Sequence, residues 1–246
     1  MNHLNYLALG DSIATGTITY FSSTQSYARY LAGALGRYYK PLSYKNMAVD
    51  GDSTGRLLWR LSNNEVLRSL VSRADIITLS IGGNDLLRAA SVPGFSSLDL
   101  PTARQAIYSF PQNWDKTIRT IRVLNPEAPL LTMTLYNPYC ASSSLPGRYL
   151  SDRGLHEGVE KLLAPLNDTI VANQAAGYHV VDVYSAFRQF SYGQMGRVVC
   201  LYPSSGGYIM RNPHPTPWGH RLISRLHLET FLDLYGECTG THFPAV

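Results

Sequence analysis

Five short apolar runs, each followed by a segment of helical periodicity, constrain this chain more than any other feature. The runs are Leu4 to Leu9, about Ser43 to Val49, Ile76 to Ile81, Leu130 to Leu135 and His179 to Val183. Runs of this length, dense in apolar side chains, read as strands buried on both faces. The segments with helical periodicity are roughly Ser26 to Gly36, Thr54 to Val71, Thr102 to Leu124, Ser151 to Ala176 and Thr216 to Tyr235. Strands that alternate with helices imply a parallel sheet covered on both faces. The expected fold class is therefore α/β, a three-layer α/β/α sandwich around a central, mostly five-stranded parallel sheet. Several boundaries carry their own chemistry: Asn125-Pro126 stops the third helix, Gly177 suits the cap that closes the fourth, and Pro217 falls in the first turn of the last.

At 246 residues, 45% of them apolar, the chain fits a single domain over 1–246 with a sizeable core. A formal net charge of +4, with the 21 basic residues scattered, lacks the basic stripe that a nucleic-acid partner requires. No apolar run approaches the roughly 18 to 20 residues of a membrane-spanning helix. Met1-Asn2-His3 leads straight into the first strand, which reads either as a cytoplasmic protein or as a secreted domain whose signal peptide has been removed. Cys140, Cys200 and Cys238 form neither a disulfide framework nor a metal-ligand spacing; free thiols are expected, with a single bridge left open. No histidine cluster has metal spacing and no glycine-rich nucleotide loop follows a strand, so no metal or cofactor is expected.

Four short segments spread along the chain carry the chemistry. They are Gly10-Asp11-Ser12 after the first run, Gly51 within Ala48-Val49-Asp50-Gly51, Gly82-Gly83-Asn84-Asp85 after the third run, and His214-Pro215 near the end. Acyl transfer at neutral pH needs a hydroxyl nucleophile, a base within hydrogen-bond reach, and donors aimed at the oxygen that becomes negative. Ser12 and His214 would fill the first two roles. The backbone N–H groups of Ser12 and Gly51 and the side-chain amide of Asn84 would form the oxyanion hole. Ser12, Gly51 and Asn84 are expected just past the carboxyl ends of the first three strands, where open α/β sheets place their ligands. His214 is expected in the loop entering the final helix. Asp11 reads as an acceptor that braces its loop, and Asp85 as a helix N-cap with Asn84 facing the substrate. His220 falls inside the last helix and reads as structural; His3, His156, His179, His227 and His242 have no supporting context.

These four blocks, in this order, resemble the GDSL esterase/lipase family, the SGNH hydrolases. The matching segments are Gly10-Asp11-Ser12-Ile13-Ala14-Thr15-Gly16, Asn46-Met47-Ala48-Val49-Asp50-Gly51, Gly82-Gly83-Asn84-Asp85 and His214-Pro215. The resemblance implies a single-domain flavodoxin-like fold and a serine carboxylic-ester hydrolase acting on short- to medium-chain acyl esters. It also admits a carbohydrate O-deacetylase, a lysophospholipase or a thioesterase on the same site, and a binding protein whose catalysis has lapsed. The implied partner is a small ester, whether an acyl ester, a lipid or an acetylated sugar.

The family pattern is Asp-x-x-His-Pro, whereas this chain reads Arg211-Asn212-Pro213-His214-Pro215. The usual triad acid is absent from its place. A Ser12–His214 dyad is the expectation, oriented by a main-chain carbonyl near Arg211 or by an acid from elsewhere. A guanidinium beside the imidazole would lower its pKa and reduce activity. Ser91 to Pro101 and Tyr136 to Pro146 are expected to border the acyl or alcohol pocket, and some of the seventeen tyrosines to offer stacking surfaces.

Overall fold

The structure, a computed structural model, describes residues 3–18, 21–22, 25–89, 100–138, 150–190, 198–203 and 209–235. Five strands form one parallel sheet: β1 (Leu4–Gly10), β4 (Leu42–Asn46), β5 (Ile76–Ser80), β6 (Leu130–Met133) and β7 (His179–Val181), in the order β4-β1-β5-β6-β7. Between β1 and β4 lies a short antiparallel pair, β2 (Thr17–Ile18) and β3 (Phe21–Ser22). A second pair, β8 (Val199–Pro203) and β9 (Ile209–Pro215), precedes the last helix.

The helices are α1 (Ser12–Thr15), α2 (Tyr27–Leu35), α3 (Thr54–Asn63), α4 (Glu65–Ser72), α5 (Gly83–Ala89), α6 (Leu100–Leu124), α7 (Leu150–Ala172), α8 (Val183–Arg188) and α9 (Pro217–Tyr235). Alternation along β1 assigns them to layers. Tyr6 and Ala8 face a core with Tyr27, Leu31 and Leu35 of α2, Phe187 of α8 and Ile223 and Phe231 of α9. Leu7 and Leu9 face the opposite core, with Leu57 and Leu61 of α3, Leu67 of α4, Trp114 and Ile118 of α6 and Leu166 of α7. Because both faces are covered, all five residues of β5 are buried. Each fully buried leucine or isoleucine is worth roughly 1.5 to 3 kcal/mol of transfer free energy. The three-layer sandwich and the parallel sheet expected from the run pattern are the observed architecture.

Two expectations need correction. The segment from Thr54 to Val71 is two helices, broken at Asn64, whose extended backbone (φ −103°, ψ 104°) ends α3. Its side chain accepts from Leu67 N–H at 3.0 Å and so starts α4, with Glu65 in the first turn. Helical periodicity continues across this break because Leu57, Leu61, Leu67 and Val71 all face one core. The second correction concerns His214. It lies near the end of β9, where Val199 pairs with Pro215 and Leu201 with Arg211, and not in a loop. Prolines at 213 and 215 hid this strand, since proline cannot donate to a ladder and is confined to edges and irregular positions. Residues 91–99 and 139–149, which include most of the two expected pocket borders and Cys140, lie outside the described residues, as do Cys238 and His242.

Candidate active site

The strand order places the site. From β1 the chain crosses to β4 on one side, then returns past β1 to β5 on the other. Connections leaving β1 and β5 therefore run in opposite directions, and the crevice between their carboxyl ends is the topological switch point where such sheets bind ligands. Ser12 follows β1 and Asn84 follows β5, so the two flank this crevice.

Ser12 is the first residue of α1. Asp11 caps that helix, its carboxylate accepting from Ile13 N–H at 3.0 Å, while Asp11 N–H donates to Ser80 O at 3.0 Å and ties the turn to β5. Gly10 has φ +134°, and a Cβ there would stand 2.0 Å from Ser80 O, so only glycine lets β1 approach β5 this closely. Asp11 is 3% exposed, and burial pushes its carboxyl up to about 7.

His214 Nε2 lies 2.8 Å from Ser12 Oγ, across 202 residues of chain. The Tyr136 hydroxyl, on the segment after β6, donates to Pro213 O, and its ring packs on Phe187 with centroids 4.4 Å apart. Thr216 N–H donates to Val198 O at 2.9 Å just beyond the histidine. The imidazole is thus held on both sides through its backbone. Burial lowers the His214 pKa, which favours the neutral ring that accepts a proton; the Asp50 carboxylate acts in the opposite sense.

Block two is fastened to block one. Met47 N–H donates to Ala8 O at 2.8 Å and Val49 N–H to Gly10 O at 3.0 Å, so the chain after β4 runs beside the end of β1. Asp52 N–H closes a turn on Val49 O at 3.1 Å, with Gly51 at φ +72° inside it. A Cβ at Gly51 would meet nothing within 4 Å, so the positive φ, not crowding by the protein, calls for glycine, and this backbone faces open space. Asp50 accepts from Thr15 Oγ1, which also reaches Ser12 O at 3.2 Å.

Asn84 Nδ2 donates to Asp52 O at 2.9 Å, which fixes the amide next to the Gly51 turn. Asp85, 7% exposed, lies in the first turn of α5 but does not cap it. Its carboxylate accepts from Thr54 N–H at 2.9 Å and Thr54 Oγ1 at 2.5 Å, and so caps α3, where Ser53 makes no side-chain cap. This corrects the expected N-cap: the capped helix is a different one, brought near by tertiary packing. The first turns of two helices, one turn and one strand thus bring Ser12, Asn84, Gly51 and His214 to one rim of the sheet.

Residues to which the sequence assigned no supporting role of their own are Thr15, Asp50, Asp52, Arg60 and Tyr136. Asp52 is fully buried and pairs with Arg60 Nη1 at 2.6 Å, while Arg60 Nη2 reaches Met47 O at 2.5 Å, so one guanidinium pins both ends of the Gly51 segment. The spacing of Asp52 and Arg60 around a helix start was a weak signal for this pair. Tyr136 gave none. His220 is fully buried in α9; its Nδ1 accepts from Tyr27 N–H at 3.2 Å, and burial holds its pKa down at about 3. Among the described residues no group of three His, Cys, Asp or Glu side chains is arranged to hold a metal ion, and no helix is long and apolar enough to cross a membrane.

The chain matches the sequence profile of the GDSL-like Lipase/Acylhydrolase family over residues 8–222. It is 29% identical over 139 residues to the uncharacterised protein YpmR of Bacillus subtilis (strain 168), covering 56% of this chain and 53% of YpmR, so the match spans about half the length of that relative. It is 27% identical over 211 residues to the spore germination lipase LipC of Bacillus licheniformis, covering 83% of this chain and 91% of LipC. Its fold is similar to that of the solved extracellular lipase of Streptomyces rimosus, with a TM-score of 0.66 at 21% identity over 92% of this chain and 98% of the other.

Proposed function

The chain belongs to the GDSL-like Lipase/Acylhydrolase family and is a hydrolase of the esterase/lipase type, and from that premise we propose that it cleaves short- to medium-chain acyl esters through a Ser12–His214 dyad. The observation that carries this reading is the 2.8 Å contact between His214 Nε2 and Ser12 Oγ, made by residues 202 apart in the chain. Ser12 Oγ attacks the ester carbonyl while His214 takes its proton; His214 then returns that proton to the leaving alcohol. Water, deprotonated by the same imidazole, releases the acid from the acyl-enzyme.

The oxyanion that forms at each attack is met by the N–H groups of Ser12 and Gly51 and by the Asn84 amide, each such donor being worth about 3 kcal/mol of transition-state stabilisation. The bond from Asn84 to Asp52 O supports this role, because it uses one amide N–H to set the plane of the other. In place of the usual triad acid, the backbone of β9 near Arg211 orients the imidazole, and Asp50 supplies negative charge from the opposite loop. The relative described as a spore germination lipase supports an acyl ester as the substrate.

Hydrolysis of p-nitrophenyl acetate, butyrate and octanoate between about pH 6 and 9 tests the reading. Turnover is expected to fall by about 10³-fold or more in Ser12→Ala and in His214→Ala. Equal rates in wild type and Ser12→Ala would refute the assignment of the nucleophile.

A further inference from the structure

His214 stands on an irregular stretch of backbone. Four steps along β9, from Arg211 to Pro215, run against only two along β8, from Leu201 to Val199, so β9 bulges over Asn212–His214. Pro213, inside the bulge, has no N–H to give a ladder. A bulge re-aims the side chain it carries, but the pairing that would fix the backbone is locally disrupted. With Arg211 where the triad acid usually stands, the aim of the ring follows from how firmly that backbone is held.

A contact from the segment after β6 reaches into this bulge. The Tyr136 hydroxyl donates to Pro213 O, one residue before the histidine. Its ring is buried in the core beside Phe187, so a stiff side chain delivers the hydroxyl. The backbone carrying Tyr136 is clamped on both sides. Leu135 exchanges two bonds with the Asn167 side chain, donating its N–H to Oδ1 at 2.8 Å and accepting from Nδ2 at 2.9 Å. Asn137, 7% exposed, donates from Nδ2 to Glu160 Oε1 at 2.9 Å.

Glu160 is anchored in turn. Its second oxygen accepts from the Tyr184 hydroxyl at 2.6 Å, and Tyr184 N–H donates to Thr134 Oγ1 at 2.8 Å. Burial and the carboxylate push the Tyr184 phenol up, so it stays a donor across the pH range of an ester assay. Hydrogen bonds to a carboxylate are stronger than those between neutral groups, and this one carboxylate joins α7, α8 and the segment after β6. None of the chemical steps above uses Glu160.

We propose that Tyr136 is the positioning residue of the base and Glu160 its anchor: through Asn137, Tyr136 and the Pro213 carbonyl, a carboxylate on α7 serves the orienting half of the absent triad acid's role. The proposal rests on the Ser12–His214 dyad. The charge-stabilising half is not served in this way, because the hydroxyl reaches a peptide carbonyl and not the ring. That separates the unit from Asp50, which acts on the ring through its charge. A loosened bulge would carry Nε2 out of line with Ser12 Oγ, and a misplacement of about 1 Å can cost about 10²-fold in rate.

Tyr136→Phe keeps the ring and removes only the hydroxyl. With p-nitrophenyl butyrate its kcat should fall about tenfold, with KM within about twofold of wild type and the acid limb of the kcat/KM profile unmoved. A lowered urea midpoint with kcat near wild type would make the hydroxyl merely structural and overturn the proposal; a shifted kinetic pKa would overturn it too, by showing an effect on charge. Glu160→Gln leaves one acceptor oxygen for two donors and should lower kcat by about threefold or more. In the double variant the loss should match that of Tyr136→Phe alone, since the two residues act in series. Losses that multiply, or a wild-type kcat in Glu160→Gln, would overturn Glu160 as the anchor. Asn137→Ala cuts the same link from its other end and repeats the test if Glu160→Gln does not fold. Ser12→Ala and His214→Ala, run alongside, test the underlying reading separately. Turnover persisting in either removes the dyad, whereas turnover that needs both residues but not the Tyr136 hydroxyl removes only the positioning unit.

Discussion

In the mechanism proposed above, His214 has to be neutral before the attack and cationic during it, and its surroundings act on each requirement separately. Burial favours the neutral ring, while the Asp50 carboxylate favours the imidazolium. Because the usual triad acid is replaced by Arg211, Asp50 is the negative group through which the loop after β4 reaches the base. Asp50→Asn should therefore move the acid limb of the kcat/KM profile to lower pH, since a base that has lost its anionic neighbour releases its proton more readily. It should also lower kcat on the plateau, because the imidazolium formed in the transition state is less stabilised. Profiles for p-nitrophenyl butyrate at low and high salt would check both effects. As Asp50 is exposed, the difference between wild type and variant should narrow as salt is added. An unmoved or raised kinetic pKa would exclude Asp50 from this role.

Among the elements, α3 shows how the site depends on packing remote from the chemistry. Its first turn is capped by Asp85 from α5, and the residue two before it, Asp52, both accepts from Asn84 and pairs with Arg60. Asp85→Ala would leave the Thr54 N–H and hydroxyl buried without their acceptor. The expected cost is about 1 to 3 kcal/mol, measurable as a lower urea midpoint. The same change loosens the turn that presents Gly51, so kcat should fall while KM for a small ester changes less. An unchanged midpoint would mean that water or a neighbour replaces the cap. The periodicity started a helix at about Thr54, and nothing local indicated that its cap comes from a residue 31 positions away.

At the scale of the whole molecule, buried titratable groups set how the fold responds to pH. His220 and His227 are fully buried, and burial lowers their pKa values to about 3 and about 4. Below the unfolded value of about 6.5 the unfolded chain binds protons that the folded chain refuses, so stability is lost as pH falls from that value toward the folded ones. Asp11 acts in the opposite direction. With its pKa raised to about 7, it makes the fold lose stability as pH rises from about 4 toward 7. Two histidines against one carboxyl give these buried groups a net slope of about one proton, with stability rising from about pH 4 to 6.5. Urea midpoints across that window check the sign, and His227→Phe, which keeps a ring to stack on Tyr27, should flatten the slope by one proton.

Periodicity alone determined the alternation of strands and helices, and with it the parallel sheet and its two helical layers, because burial on both faces imposes an apolar pattern that local sequence records. The four blocks were legible for a different reason, since their residue types and order resemble those of the GDSL esterase/lipase family. Only the tertiary structure decided that His214 arrives on β9, that Asp85 caps α3, and that Arg60 and Tyr136 hold the loops in register. Each of these is a contact between residues distant in sequence, and its energy depends on a geometry that exists only once the sheet has been covered.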